Sequence, residues 1–148
     1  MKTRPELEAF LFCRRVRVEA NGSKSLIGIF ETAHVGAQAN RPLLAGSVPP
    51  VGFEFGIYTR WCSGLGHFVQ RVDMKGPDGE VLTVGEALLE FGDPFVPQNS
   101  YGSVGEVFSE PGPHVFRLYL DGELVVEKTL EVDLRVPRTR ASNGHRRL

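Results

Sequence analysis

Apolar and polar residues alternate along much of this 148-residue chain, most clearly between Val51 and Trp61. The apolar set in that segment is Val51, Phe53, Phe55, Ile57 and Trp61, and the residues between them include Gly52, Glu54, Gly56, Tyr58 and Arg60. A period of two places the two sets on opposite faces of a strand. The segment is therefore predicted to be a strand with one buried face.

Further alternating segments follow, separated by turns rich in Gly, Pro, Asn and Asp. Strands are predicted at 9–19 with a bulge near 13–15, at 25–32, 51–62, 67–75, 80–84 and 105–109, and in a final hairpin. Segments 33–50 and 93–103 are predicted to be loops, and 85–91 fits either a short helical turn or a strand edge. The pattern predicts an all-β fold, a single antiparallel β-sandwich of about seven or eight strands.

The final hairpin carries its apolar residues at even positions in both arms. They are Phe116, Leu118 and Leu120 in the first arm and Leu124, Val126, Leu130, Val132 and Leu134 in the second. A two-residue Asp121-Gly122 loop would place the two sets on opposite faces. A three-residue loop that includes Leu120 and a bulge would pair Leu118 with Leu124 on one face. The hydrophobic pattern therefore predicts the bulged turn.

Composition is that of an ordinary soluble domain, with 41% hydrophobic and 24% charged residues. No apolar stretch approaches the roughly 20 residues that span a bilayer, and the start of the chain has no secretory signal pattern. A cytoplasmic location without membrane contact is therefore expected. The two cysteines, Cys13 and Cys62, are too few for a disulfide framework and are expected to be free thiols.

The net charge of −1 conceals an acidic body and a basic end. Residues 135–148 hold no acid and five arginines, which are Arg135, Arg138, Arg140, Arg146 and Arg147. We expect a sandwich domain over residues 1–134 and a flexible basic tail over 135–148. Phosphate contacts from these arginines would make the chain a nucleic-acid-associated protein, although the acidic body lacks the usual basic footprint.

The order of several short motifs resembles that of a known family. The motifs are Cys13-Arg14-Arg15-Val16-Arg17-Val18-Glu19, Asn21-Gly22, Leu26-Ile27-Gly28-Ile29-Phe30, Gly76-Pro77-Asp78-Gly79, Glu110-Pro111-Gly112-Pro113-His114-Val115-Phe116 and Leu120-Asp121-Gly122. Over residues 9–134 the chain resembles small bacterial proteins of unknown function with an immunoglobulin-like β-sandwich. The resemblance implies that fold and a bacterial or phage origin, and it implies no catalytic residue.

The function expected from these observations is that of a non-catalytic protein-binding or assembly module, through another protein or through self-association. Rigid sandwiches commonly present recognition residues on their loops. In segment 33–50 the candidates are Arg41, Leu43 and Leu44, and in segment 93–103 they are the aromatic residues Phe95 and Tyr101. The competing interpretation is that each of these side chains covers the hydrophobic core and contacts no partner.

An enzyme is the weakest of the alternatives. It would require Cys62 beside His67 or His114, with the pKa of the thiol lowered. The four histidines have no close ligand spacing, so no metal site is expected, and no cofactor is expected either.

Overall fold

The computed structural model describes residues 2–36, 51–108 and 110–135 of the chain. These residues form nine strands. In chain order they are β1 Glu6–Val18, β2 Lys24–Phe30, β3 Thr32–Gly36, β4 Val51–Cys62, β5 Gly66–Lys75, β6 Val81–Phe91, β7 Gln98–Phe108, β8 Gly112–Leu120 and β9 Glu123–Arg135. No helix in the described ranges has the length and apolarity needed to cross a bilayer.

The strands form two sheets. One has the order β2-β1-β4-β7 and the other the order β3-β9-β8-β5-β6. Neighbouring strands are antiparallel except β3, which pairs in parallel with β9. The expected all-β sandwich is confirmed. Among the described residues there is one strand more than the expected seven or eight, because the start of the predicted 33–50 loop extends β3 along the edge of the second sheet.

Aromatic side chains from both sheets form the centre of the core. Phe12 of β1 and Phe116 of β8 lie with ring centroids 4.8 Å apart, and Phe55 of β4 meets both rings edge to face at about 6 Å. The predicted burial of Phe55, Ile57 and Trp61 in β4 is confirmed, but Gly56 and Tyr58 of the opposite set are buried as well. The period-two pattern thus has its physical cause in this shared interior.

The structure differs from several of the sequence predictions. Residues 98–103 are not a loop, because β7 begins at Gln98 and pairs with β4 at every position to Phe108. Their Ser, Gly and Asn content argues against a strand locally, and pairing with a buried neighbour outweighs it. Segment 85–91 is part of β6. The irregularity of β1 against β4 lies between Leu7 and Ala9 rather than near 13–15.

The prediction of a bulged three-residue turn in the final hairpin is wrong. Leu120 pairs with Glu123, and Asp121 and Gly122 have φ angles of 48° and 82°, as in a two-residue type I′ turn. The register shifts instead between Leu118 and Tyr119, which leaves one extra residue within β9 at Val125. Leu118 therefore pairs with Val126, so the even residues of β9 from Val126 onward share a face with Phe116 and Leu118. Leu124 instead pairs with Tyr119 and is 49% exposed, so its predicted pairing with Leu118 is wrong.

Asp121 fixes this turn to the neighbouring strand. Its backbone N–H donates to the Val69 carbonyl at 2.8 Å, and its Oδ1 accepts from the Val69 N–H at 2.8 Å. Lys2 Nζ lies 3.0 Å from Oδ2. The Val69 hydrogen bond, followed by Lys2, holds the pKa of the Asp121 carboxyl below its usual value. Asp also tolerates the left-handed backbone conformation of this position.

We expect Asp121→Ala to lower the free energy of unfolding by about 1 kcal/mol at pH 7, because it removes the acceptor for Val69 and the residue suited to this φ. Asp121→Asn keeps an acceptor oxygen and should lose less. Urea denaturation measures both. A loss from Asp121→Ala no larger than that from Asp121→Asn would contradict this role.

The lowered pKa gives Asp121 a pH-dependent contribution. The charged form is favoured in the folded state, so its contribution is full above the unfolded pKa of about 4 and is lost as pH falls through the folded value. Between pH 5 and pH 2 the unfolding free energy of Asp121→Asn should therefore fall less than that of the unchanged chain. Equal slopes for the two proteins would contradict the assignment.

Candidate functional site

The sandwich is open along one side, where β6 and β7 are the edge strands of their respective sheets. A gap of about 180 Å³ lies between them. Its walls come from β4, β5, β6 and β7. The lining residues are Ile57, Gln70, Val72, Val84, Gly85, Glu86, Ala87, Ser100, Tyr101, Gly102, Ser103 and Val104. The gap is thus an apolar space between the sheets that is bordered by a small number of polar groups.

Two glycines on opposite sides of the gap account for the missing volume. Gly85 pairs with the buried Val72, and Gly102 pairs with the buried Ile57. Paired residues on adjacent strands point to the same face, so both glycines occupy inward positions. A Cβ placed on either one would meet no atom within 4 Å, and neither has a positive φ. Neither close packing nor the backbone conformation therefore requires glycine here.

The floor of the gap carries one buried polar side chain, Gln70, which is 5% exposed. Its Oε1 accepts a hydrogen bond from Trp61 Nε1 at 2.7 Å. No buried side-chain nitrogen or oxygen lacks a partner among the described residues, and no described bond uses Gln70 Nε2. Gln70 thus contributes an amide group to the lining of the gap.

The two strands that border the gap differ as edges. β6 has an irregularity at Val84 and carries Glu86 and Glu90. β7 pairs with β4 without a register shift over its whole length, and residues 98–105 contain no charge and no proline. Natural sheet edges are usually protected by charges, prolines or bulges. Among the strands of the described ranges, β7 therefore presents a regular and unprotected edge.

Of the predicted site residues, Tyr101 lines the gap and Phe95 lies on the turn between its two edge strands. Phe95 is 91% exposed at the turn that joins β6 to β7. Asp93 orders this turn, since its carbonyl accepts from Val96 N–H at 3.1 Å and its Oδ1 accepts from Phe95 N–H at 2.9 Å. Tyr101 is 45% exposed and lines both the gap and a shallow pocket beside Arg15, with Lys24 Nζ 5.6 Å from its ring.

The other predicted contact residues are not brought into this site. Arg41, Leu43 and Leu44 lie outside the described residues, as do Arg138, Arg140, Arg146 and Arg147. Arg135 is the last residue of β9.

Sequence reasoning missed Gly85, Gly102 and Gln70. Gly102 lies in segment 93–103, which was predicted to be a loop. Gly85 lies in segment 85–91, for which the sequence fitted either a short helical turn or a strand edge. A glycine at an inward position of an alternating strand was the available signal, because such a glycine often marks close approach by another backbone.

The thiols are not activated as a nucleophile would require. Cys13 is buried, and this burial raises its pKa. The pKa of Cys62 is also raised, first by its hydrogen bond with the Glu8 side chain and then by desolvation. Its Sγ donates to the Glu6 carbonyl at 3.7 Å. Within the described residues, no group of three or more His, Cys, Asp and Glu side chains is arranged to hold a metal ion.

Neither a protein-family model nor a curated protein matches this chain. Solved structures of similar shape include β-glucosidase 3B from Thermotoga neapolitana in complex with α-D-glucose. It is 12% identical with a TM-score of 0.46, covering 84% of this chain and 16% of that chain. Another is the alkylpurine DNA glycosylase AlkC of Pseudomonas fluorescens bound to DNA containing an abasic site analogue. It is 12% identical with a TM-score of 0.38, covering 84% and 30%.

An immunoglobulin-like protein from Pseudomonas aeruginosa is similar over nearly its full length. It is 15% identical with a TM-score of 0.37, covering 88% of this chain and 97% of that chain. By contrast, this chain spans less than a third of the glucosidase and glycosylase chains.

We expect Gly85→Ala and Gly102→Ala to leave the free energy of unfolding unchanged or to raise it by up to about 1 kcal/mol, because each methyl group enters open space and restricts the unfolded chain. Gly64→Ala is the matched control. Its Cβ would lie 2.8 Å from Pro5 Cβ and 3.0 Å from the Phe91 ring, so it should destabilise the fold. Urea denaturation measures all three, and destabilisation by Gly102→Ala equal to that by Gly64→Ala would show that the gap is closed in solution.

The raised pKa values also predict slow thiol chemistry. At pH 7 Cys62 should react with a disulfide reagent more slowly than free cysteine, and Cys13 should react only on unfolding. Stopped-flow absorbance with Cys62→Ser and Cys13→Ser variants separates the two thiols. A Cys62 that reacts faster than free cysteine would revive the enzyme hypothesis.

Proposed function

We propose that this chain is a non-catalytic binding module that takes an extended segment of another protein into the gap between β6 and β7. The observation that carries the proposal is the pair of inward glycines, Gly85 and Gly102, with open space where each side chain would be. Protein interiors are otherwise close-packed, and glycine inside a strand weakens it. A ligand that completes the packing explains why both positions are glycine.

The regular edge of β7 favours a polypeptide as that ligand. An added strand would hydrogen bond to the free backbone groups of the edge, and alternate side chains would point into the gap. A volume of about 180 Å³ suits one such side chain, since a cavity of about 150 Å³ holds a benzene molecule. It is smaller than the roughly 300–1,000 Å³ typical of small-molecule sites.

Gln70 and Phe95 give the gap a polar and an aromatic contact. The Gln70 amide nitrogen can donate to a backbone carbonyl of the added strand. This hydrogen bond favours binding of a ligand that supplies such an acceptor. Phe95 stands exposed on the turn between the two edge strands, where a longer extended ligand would reach it. Exposed aromatic side chains on ordered turns are frequent anchors in protein interfaces.

The two alternative functions receive less support. The raised thiol pKa values run against a cysteine nucleophile. Nucleic acid would be repelled along β6, because Glu86 and Glu90 carry negative charge, as the phosphates do.

Selection of binding peptides from a displayed random library tests the proposal. We expect peptides recovered on the unchanged chain to bind Gly102→Leu at least about tenfold more weakly, since Leu fills the space that the ligand needs. Gly92→Leu is the matched control, because Gly92 also has open space around it but lies outside the gap lining. Fluorescence anisotropy of labelled peptides gives the affinities.

Two results would contradict this function. One is that no peptide is enriched over several rounds. The other is that enriched peptides bind Gly102→Leu and Gly92→Leu equally well, which would place recognition outside the gap.

A further inference from the structure

The side chains that form the walls of the gap are apolar. Successive residues of a strand point to opposite faces, so the neighbours of the two inward glycines carry their side chains on the outer faces of the sheets. These neighbours are Glu86, Tyr101 and Ser103. The inward side chains that line the gap include Ile57, Val72, Val84, Ala87 and Val104.

Two polar side chains share this inward face, and they lie at different depths. Ser100 is on the edge strand β7, two residues from Gly102. Gln70 is on β5, an interior strand of the other sheet, and it is almost completely buried. The same continuous space contacts both Gly102 and Gln70. A side chain that enters at the β7 edge and fills this space therefore meets the Gln70 amide.

Gln70 offers this side chain a hydrogen-bond donor. Its Oε1 accepts from Trp61 Nε1 at 2.7 Å, and this contact decides which end of the amide carries the oxygen, because an indole N–H can only donate. The amide nitrogen has two N–H donors, and no hydrogen bond described within the ordered ranges uses them. One can meet the ligand backbone while the other meets a side-chain acceptor.

Few side chains combine an apolar body with an acceptor at the tip. Phe and Leu have no acceptor, and Trp and Lys only donate. Asp, Glu, Asn, Gln and His would bring a charge or a second polar group against the apolar walls, which costs free energy. Ser and Thr are too small to fill the space. Tyr has an apolar ring and a phenolic oxygen that can accept a hydrogen bond.

The volume of the gap agrees with this choice. A cavity of about 150 Å³ holds a benzene molecule, and a water molecule occupies about 30 Å³ of the liquid. The gap of about 180 Å³ therefore matches an aromatic ring that carries one oxygen.

We infer that the extended ligand inserts a tyrosine into the gap. Its ring occupies the space beside Gly85 and Gly102, and its phenolic oxygen accepts a hydrogen bond from Gln70 Nε2. Gln70 is then the residue that selects Tyr over Phe, and the two glycines provide the room for the ring. The inference rests on the proposed function and adds the chemical class of the side chain that the ligand presents.

The peptides enriched on the unchanged chain test this inference. We expect them to share one tyrosine. A counterpart of each peptide with phenylalanine at that position should bind the unchanged chain about tenfold more weakly, because the Gln70 N–H loses its acceptor. Fluorescence anisotropy gives both affinities, and this comparison needs no variant of the protein.

A variant of Gln70 assigns the preference to its amide. Gln70→Met keeps a side chain of similar length without the amide, so the two peptides should bind it within about twofold of each other. The change also removes the acceptor of Trp61, but both peptides experience that loss, so the ratio of their affinities isolates the contact with the ligand. Ser100→Ala is the matched control, because it removes the other inward polar side chain and should keep the tenfold ratio.

Three results would overturn the tyrosine inference. They are enriched peptides without a shared tyrosine, equal affinities of the two peptides for the unchanged chain, and a tenfold ratio that persists in Gln70→Met or disappears in Ser100→Ala. In each case the comparison of Gly102→Leu with Gly92→Leu still decides the proposed function. Equal binding of the enriched peptides to those two variants would instead overturn the proposed function.

Discussion

The contact of Phe12 and Phe55 in one sheet with Phe116 in the other is the interaction on which the rest of the sandwich depends. These rings are almost completely buried and meet at centroid distances of 4.8 to 6.0 Å. They come from β1, β4 and β8, the interior strands of their sheets. Because this contact sets the separation of the sheets, positions towards the β6 and β7 side need large inward residues to keep the interior filled. The chain places Gly85 and Gly102 there, and the gap results.

Much of the fold follows from the residue pattern. The alternation of Phe55, Ile57 and Trp61 correctly placed these three side chains of β4 in the core. These predictions succeed because a period of two is imposed by the strand itself. The parity prediction for the final hairpin holds from Val126 onward but fails at Leu124, because parity constrains how many extra residues exist and not where they lie. The turn took the conformation that Asp121-Gly122 prefers, and the bulge moved to Val125.

The candidate site was less accessible to sequence reasoning because it depends on contacts distant in sequence. Segment 98–105 is rich in Ser, Gly and Asn, and it becomes a strand through its continuous pairing with β4. The gap exists only when Gly102 of one sheet comes to face Gly85 of the other, and sequence periodicity does not determine which edge strands meet. Phe95 and Tyr101 were both predicted as aromatic residues of a loop, and of the two only Tyr101 lines the gap.

The arrangement combines a defect of packing and an unprotected strand edge on one side of an otherwise regular domain. Either feature alone costs stability or invites association, and a bound extended polypeptide would relieve both.

Amide hydrogen exchange of the full-length chain, with and without a saturating library-selected peptide, measures the central claim most directly. The account predicts slower exchange in the peptide complex at residues 100–104 of β7 and 84–87 of β6, with little change at β2 and β3 on the opposite side. Protection confined to the end loops or to the outer faces of the sheets would contradict it.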